Sequence, residues 1–482
     1  MNAYPKRLAI VILSCIPLLG LAQSFHDYQP ISDNPSKQKQ LQEAVSAKFL
    51  QDQASLSGKN KKEIAELYKE RYEMIKKKID DREMITNEEV QQYLDRLVNE
   101  LTSKNKGILP PGVRIHFSRS NWPNASSMGE GTIIFNIGLF NRLQNEAQAA
   151  FVIAHELAHY YLNHSNHAIQ RYVETVNSSE FQQQLKEIRN TQYGKNSAAE
   201  KLALNLSFGS RRHSRAFEKA ADSMAIELMR PTLFDLNEAL TTLALLDSVD
   251  KDKYQTELKL EEVFNFSEYP FKKKWLSSSE LSFADTKEEA AKKKKLEDSL
   301  KTHPDCTQRI SVLAPKVQQY HSAEDRKFVV DENEFNKLKQ QFDFEILEYE
   351  FESNEVSLCL YQTLQMLRYD QNNPYLMGMV GRCFNSMYKA QVAHELGKIV
   401  DLPNPRYDAE YNSLLRLIQN LRLPELGSIA YYYLKLHQDT GKISEEYVAA
   451  LIKSKDNFGK PEEKKEWIEY YQSHFPKRKY NF

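Results

Sequence analysis

Two histidines four positions apart, with a glutamate beside the first, carry the clearest chemistry in this chain: His155-Glu156-Leu157-Ala158-His159. On a helix, residues four apart project on the same side, so both imidazoles can reach one metal ion. Glu156 is one position round from His155, close enough to take a proton from an attacking water without occupying a ligand position. Zinc hydrolysis needs that arrangement, in which a metal lowers the pKa of water and a carboxylate accepts its proton. The bland counterpart is a partly exposed helix carrying two hydrogen-bonded histidines. The surroundings argue against it. Ala147, Ala150, Phe151, Ala154, Leu157, Ala158, Tyr161 and Leu162 recur at helical spacing, so the motif lies on a helix with one broad buried face.

Two histidines are half of a catalytic zinc site, which takes three protein ligands and keeps one position open. The metalloprotease class with a further histidine six residues on would need it at position 165, which is Ser165, and a turn glycine at 162, which is Leu162. The third ligand must come from elsewhere, and Glu218 is the natural candidate. Asp222 follows one turn later on the same face. It can accept a hydrogen bond from a ligand imidazole and fix its tautomer. His164 and His167 fall off the register of the motif and are expected at the surface. Cys306 could bind zinc in a latent state.

Several elements must position these groups. Asn145 caps the motif helix, with Glu146 in its first turn, and the helix is expected to run to about His167. A second helix covers roughly Ser214 to Met229 and is stopped by Pro231. Val113 to Phe117 alternates like a strand, and Thr132 to Ile137 follows as another after a glycine-rich turn. The Gly131–Ile137 stretch is expected to be an edge strand along which an extended peptide could add.

Five blocks carry a resemblance: Asn124-Ala125, Gly131 to Leu139, FVIAHELAHYYLNH, SRAFEKAAD and THPDCTQRI. In this order, over roughly Glu88 to Leu313, the sequence resembles the HtpX-, BepA- and Oma-type zinc metallopeptidases, distant relatives of the prenyl-protein (CAAX) proteases. The resemblance implies His155, His159 and Glu218 as ligands of one zinc ion and Glu156 as general base. It also places His303 and Arg309 near the metal. His303 would either stabilise the reacting carbonyl oxygen or plug the open zinc position at rest, and the plug is the favoured expectation. Arg309 would orient His303 or carry part of the developing charge.

The chain has 482 residues, enough for two or three domains, and a formal net charge of −1 that points to neither nucleic acid nor an anionic membrane surface. Lys6 and Arg7 precede an apolar run from Leu8 to Leu21 that ends in small residues. This order reads as a secretory signal peptide cleaved after Ala22 or Gln23, and the run is too short to span a bilayer. The compartment expected is the periplasm, and the alternative is a lipoprotein acylated at Cys15. Three cysteines remain after processing, so no disulfide framework supports the fold; Cys359 and Cys383 could pair if their helices are neighbours.

The expected architecture is a signal peptide (1–22), an N-terminal helical segment (23–87) and an α+β zinc metallopeptidase domain (88–331) with the motif helix beside a small sheet. An all-α helical-hairpin domain (332–482) follows. Within it Val380-Gly381, Phe384, Ala393 and Pro405 match the spacing of one tetratricopeptide repeat. Polar insertions are read at Glu174–Arg211 and Asp247–Lys301. The function expected is an exported zinc endopeptidase acting on misfolded or assembling envelope proteins, with a protein partner at the helical domain and no transmembrane span after processing. The competing reading is a chaperone-like binding protein whose protease site is latent.

Overall fold

The computed structural model describes residues 25, 27–107, 112–190, 214–247, 257–277, 306–404, 407–476 and 479–482. The signal segment, Cys15, His303 and Pro405 therefore lie outside the described residues. Among the described residues the chain is mostly helical with one three-stranded sheet.

Helices α1 (Pro35–Ser55) and α2 (Lys61–Asp80) pack on each other, and Leu41, Val45, Ile75 and Ile79 meet Ile134 of the sheet. Asn34 caps α1 by accepting from the Ser36 amide at 3.0 Å. Helix α3 (Glu88–Lys104) buries Val90, Tyr93, Leu94, Leu97 and Leu101, an apolar stripe at the 3.6-residue period. Strands β1 (Arg114–Ser118), β2 (Ala125–Ser127) and β3 (Thr132–Asn136) form the sheet in the order β1-β3-β2. β1 runs parallel to β3 and β2 antiparallel. The strand expected at the edge is thus the central one, because β3 runs back between β1 and β2 and pairs with both. The edge facing the motif helix is β2.

A single helical turn, α4 (Ile137–Phe140), leads into α5 (Glu146–Tyr161), the motif helix. Gly138 permits this entry: a Cβ there would lie 1.9 Å from the Asn121 carbonyl oxygen. Helices α6 (His164–Val176), α7 (Ser179–Asn190), α8 (residues 214–229) and α9 (Asn237–Leu246) follow, so the motif helix stops several residues short of His167. Helix α10 (Leu260–Val263) is short, and α11 (Cys306–Tyr320) packs on α9. The carboxylate of Glu146, fully buried in the first turn of α5, accepts from the amides of Val329, Val330 and Asp331 at 2.7–2.8 Å and from the Tyr93 hydroxyl at 2.9 Å. It fastens the segment before the next helix to the start of the motif helix.

The rest is helical: α12 (Glu332–Glu352), α13 (Val356–Leu367), α14 (Pro374–Val392), α15 (Ala409–Asn420), α16 (Leu423–Leu436), α17 (Glu445–Phe458) and α18 (Pro461–His474). Helix α14 is central and packs against α13, α16 and α17. Gly381 makes the approach to α16 possible, since a Cβ there would stand 2.6 Å from Leu434. Cys359 and Cys383 are neighbours on α13 and α14, buried thiols with sulfurs 3.8 Å apart. Helix α12 serves two cores: Phe335, Leu338, Phe342 and Ile346 pack with the sheet and motif helix, and Phe344 and Leu347 with the C-terminal helices.

Part of the segment read as a charged insertion, residues 257–277, packs into the C-terminal core through Leu258, Phe264, Phe266 and Trp275. Glu425, in the first turn of α16, ties it down by accepting from Lys272 Nζ at 3.1 Å while lying 3.3 Å from Lys274 Nζ. Burial would raise the Glu425 pKa, but the Arg422 amide and the two lysines outweigh it and hold it at about 2. A carboxylate depressed in the folded state stabilises above its ordinary pKa, and that stability is lost as pH falls through the lowered value. Glu425→Gln is therefore expected to unfold at lower urea than the native chain at pH 7. The gap should narrow steadily from about pH 4.5 towards pH 2. A gap independent of pH would show that the carboxylate charge is not what holds the segment.

Candidate metal centre

Helix α5 begins at Asn145, whose side chain accepts from the Gln148 amide at 3.0 Å, and it carries the motif in its third and fourth turns. Its alanines at 147, 150, 154 and 158 are fully buried, as are Ala221 and Ala225 of α8. Small side chains on both helices let them approach closely enough for ligand side chains to meet. Glu218 and Asp222, four apart on α8, then face the motif.

His155, His159 and Glu218 each offer one ligand atom, and these atoms all lie within 4.8 Å of one another. The two Nε2 atoms are 3.0 Å apart. Glu218 places Oε2 3.4 Å from His155 Nε2 and Oε1 3.4 Å from His159 Nε2. Ligands held ~2.0–2.2 Å from one tetrahedral zinc stand about 3.3–3.6 Å apart, so the donor set suits that ion, with both Glu218 separations in this range and the two imidazoles slightly closer. The other nitrogen of His155, Nδ1, lies 3.0 Å from Asp222 Oδ1. Burial would make His155 less basic, but the hydrogen bonds to Asp222 and Glu218 prevail and hold its pKa up at about 10. The carboxylates thus favour positive charge at this nitrogen cluster, which a divalent cation held there would supply.

Arg309 closes the site from α11. Its Nε and Nη2 donate to the two Asp222 oxygens at 2.8 and 2.7 Å, and Nη1 lies 3.3 Å from Glu218 Oε2. Burial works against the guanidinium charge, yet Asp222 and Glu218 raise its pKa overall. Asp222 is held below its ordinary value against burial, through Arg309 first and then His155. Cys306, on the first turn of α11, is buried and is not among the converging ligand atoms; burial raises its thiol pKa.

Glu156 does not join the ligand cluster. Its Oε2 accepts the Ser127 amide of edge strand β2 at 2.6 Å. The Ser127 carbonyl accepts from Ser165 Oγ at 3.2 Å, so Ser165, which stands where a longer histidine motif would put its third histidine, instead fastens the edge strand. Neither contact has a sequence signal, because both join residues from separate elements.

His164 departs from its expected place at the surface. It is 6 % exposed, with Nδ1 3.0 Å from His159 Nδ1 and its ring stacked on Phe217 at 4.2 Å between centroids. Burial first, then the neighbouring His159, lower its pKa to about 4. The cause of the displacement is Asn163, whose φ of 55° ends one helix and starts the next. His167 is exposed, as expected.

Residues 85–316, a little under half of the chain, match the family model described as Peptidase family M48. The match spans the sheet, the motif helix, α8 and most of α11. It supports a metallopeptidase, the class that the convergence of His155, His159 and Glu218 suits. A search of curated proteins found no match.

Proposed function

We propose that this chain is an exported zinc-dependent endopeptidase. One observation carries the reading: two imidazole nitrogens and a carboxylate converge as ligands beside a glutamate that is held clear of them by the edge strand. His155, His159 and Glu218 would hold the ion, which when bound supplies Lewis acidity to water and to the scissile carbonyl. Asp222 keeps the His155 proton on Nδ1, leaving Nε2 as the donor. The Ser127 amide holds Glu156 Oε2, and Oε1 is the oxygen that takes the proton of the attacking water and returns it to the leaving amine.

An extended substrate would add along β2. The ladder to β3 uses the Asn124 carbonyl and the Met128 amide, so the backbone groups of Ala125 and Ser127 face outward. Those of Ser127 are engaged by Glu156 and Ser165, which leaves Ala125 for main-chain pairing with a peptide. Export is supported by the basic, apolar and small residues in order over positions 6–22, and envelope proteins are then the natural substrates. The helices after residue 332, read as a tetratricopeptide-like array, would hold a protein partner. No helix among the described residues is long and apolar enough to cross a membrane. His303, outside the described residues, would occupy the open metal position at rest.

The test is metal content with casein cleavage on purified protein. About one zinc per chain is expected, as in other single-ion sites of this ligand type. Alanine at His155, His159 or Glu218 should strip most of it and abolish cleavage. Full zinc occupancy without the Glu218 carboxylate would show that the third ligand lies elsewhere.

A further inference from the structure

We propose that His164 is a positioning residue for the metal site: its Nδ1 accepts the Nδ1–H of His159 and so fixes the tautomer that leaves His159 Nε2 as a ligand. The proposal rests on the zinc reading above and extends it to a residue outside the motif.

The geometry leaves little freedom. His159 Nε2 faces His155 and Glu218, and its Nδ1 faces His164 Nδ1 at 3.0 Å. Two ring nitrogens at that distance share one proton, so one donates and the other offers a lone pair. A ligand nitrogen must also offer its lone pair. With Nε2 committed to the ion, the His159 proton sits on Nδ1, and His164 must accept there and carry its own proton on Nε2. His155 has the same support from the Asp222 carboxylate at 3.0 Å. Both imidazole ligands are therefore oriented from behind, one by an anion and one by a neutral ring.

The local chain is built to deliver that ring. On an uninterrupted helix a residue five positions beyond His159 would point about 140° away from it. Asn163 takes the left-handed conformation, its Oδ1 accepts from Asn166 Nδ2 at 2.7 Å, and the chain turns so that the first residue of α6 comes back behind His159. Asparagine is among the few residues other than glycine that tolerate this conformation. The ring of His164 then lies almost parallel to Phe217, at 14°, and Phe217 immediately precedes Glu218. One side chain thus braces the second histidine ligand against the helix that supplies the third.

The experiment compares wild type, His164→Asn and His164→Phe by competition for zinc against a chelator of known affinity, with thermal midpoints of the zinc-stripped proteins alongside. Asparagine puts an amide oxygen near the place of Nδ1, and phenylalanine keeps the ring on Phe217 with no acceptor. The Phe variant is expected to bind zinc about 10–100-fold more weakly and the Asn variant within about threefold of wild type, as for other groups that orient metal ligands. Wild-type affinity in the Phe variant, or equal losses in both variants, would overturn the assignment. Should the Phe variant not fold, long-range ¹H–¹⁵N correlations on histidine-labelled, zinc-loaded wild type decide directly. They should place protons on His159 Nδ1 and His164 Nε2, and a proton on His164 Nδ1 would overturn the proposal. A wild type that takes up no zinc at all would instead overturn the metallopeptidase reading, an outcome distinct from a failure at His164.

Discussion

Glu156→Gln should keep about one zinc per chain and lose casein cleavage by a factor of roughly 10²–10⁴, the range for removal of a general base. The two halves of that expectation come from different atoms. Zinc retention follows because the side-chain atoms that could hold a metal are those of His155, His159 and Glu218, with Glu156 outside the group. Loss of turnover follows because an amide cannot accept a proton from water. The substitution is also quiet structurally. The Ser127 amide donates to Glu156 at 2.6 Å, and the carbonyl oxygen of glutamine can accept the same bond, so the edge strand keeps its place. Purified variant and native protein are compared by metal analysis and by peptide release from casein. Zinc lost with the glutamate would make Glu156 a ligand. Cleavage unchanged with zinc in place would move the base to another residue.

What the sequence discloses about this site is what helical periodicity encodes. His155 and His159, and likewise Glu218 and Asp222, are pairs four apart, and a helix turns that spacing into a shared face without reference to the rest of the chain. The buried alanines of α5 could be listed from their period for the same reason. Pairing order in the sheet is different, because it depends on a return of the chain that no local pattern records. β3 reads as an edge strand until β1 is found beside it. His164 lies away from where a regular helix would carry it because Asn163 turns left-handed, and a single positive φ leaves no trace in the hydrophobic period. In residues 257–277 the charges hid a signal that was present: Phe264, Phe266 and Trp275 form too apolar a set for a solvated insertion, and all three are buried in the C-terminal core.

Arg309 is expected to carry the largest single share of stability around the site. Its guanidinium is 4 % exposed and holds both Asp222 oxygens, with Glu218 at 3.3 Å. Arg309→Met would leave two buried carboxylates without the cation they share, and breaking a buried pair by removing one partner costs about 3–5 kcal/mol. That loss should appear in urea unfolding of the zinc-stripped protein. It should shrink when zinc is added, because an ion on Glu218 supplies some of the missing positive charge. Arg309→Lys separates positioning from charge. Lysine keeps the cation but cannot form the paired bonds to Asp222, so it should recover only part of the stability. The alternative expectation, in which Arg309 carries charge developing on the substrate, gives another pattern. Under it, Met would leave unfolding nearly unchanged while turnover falls, and Lys would recover much of the activity. The contacts to Asp222 favour the first pattern. A guanidinium with two of its donors on one carboxylate at 2.7–2.8 Å is committed to holding that carboxylate behind His155, and through it the orientation of the first ligand.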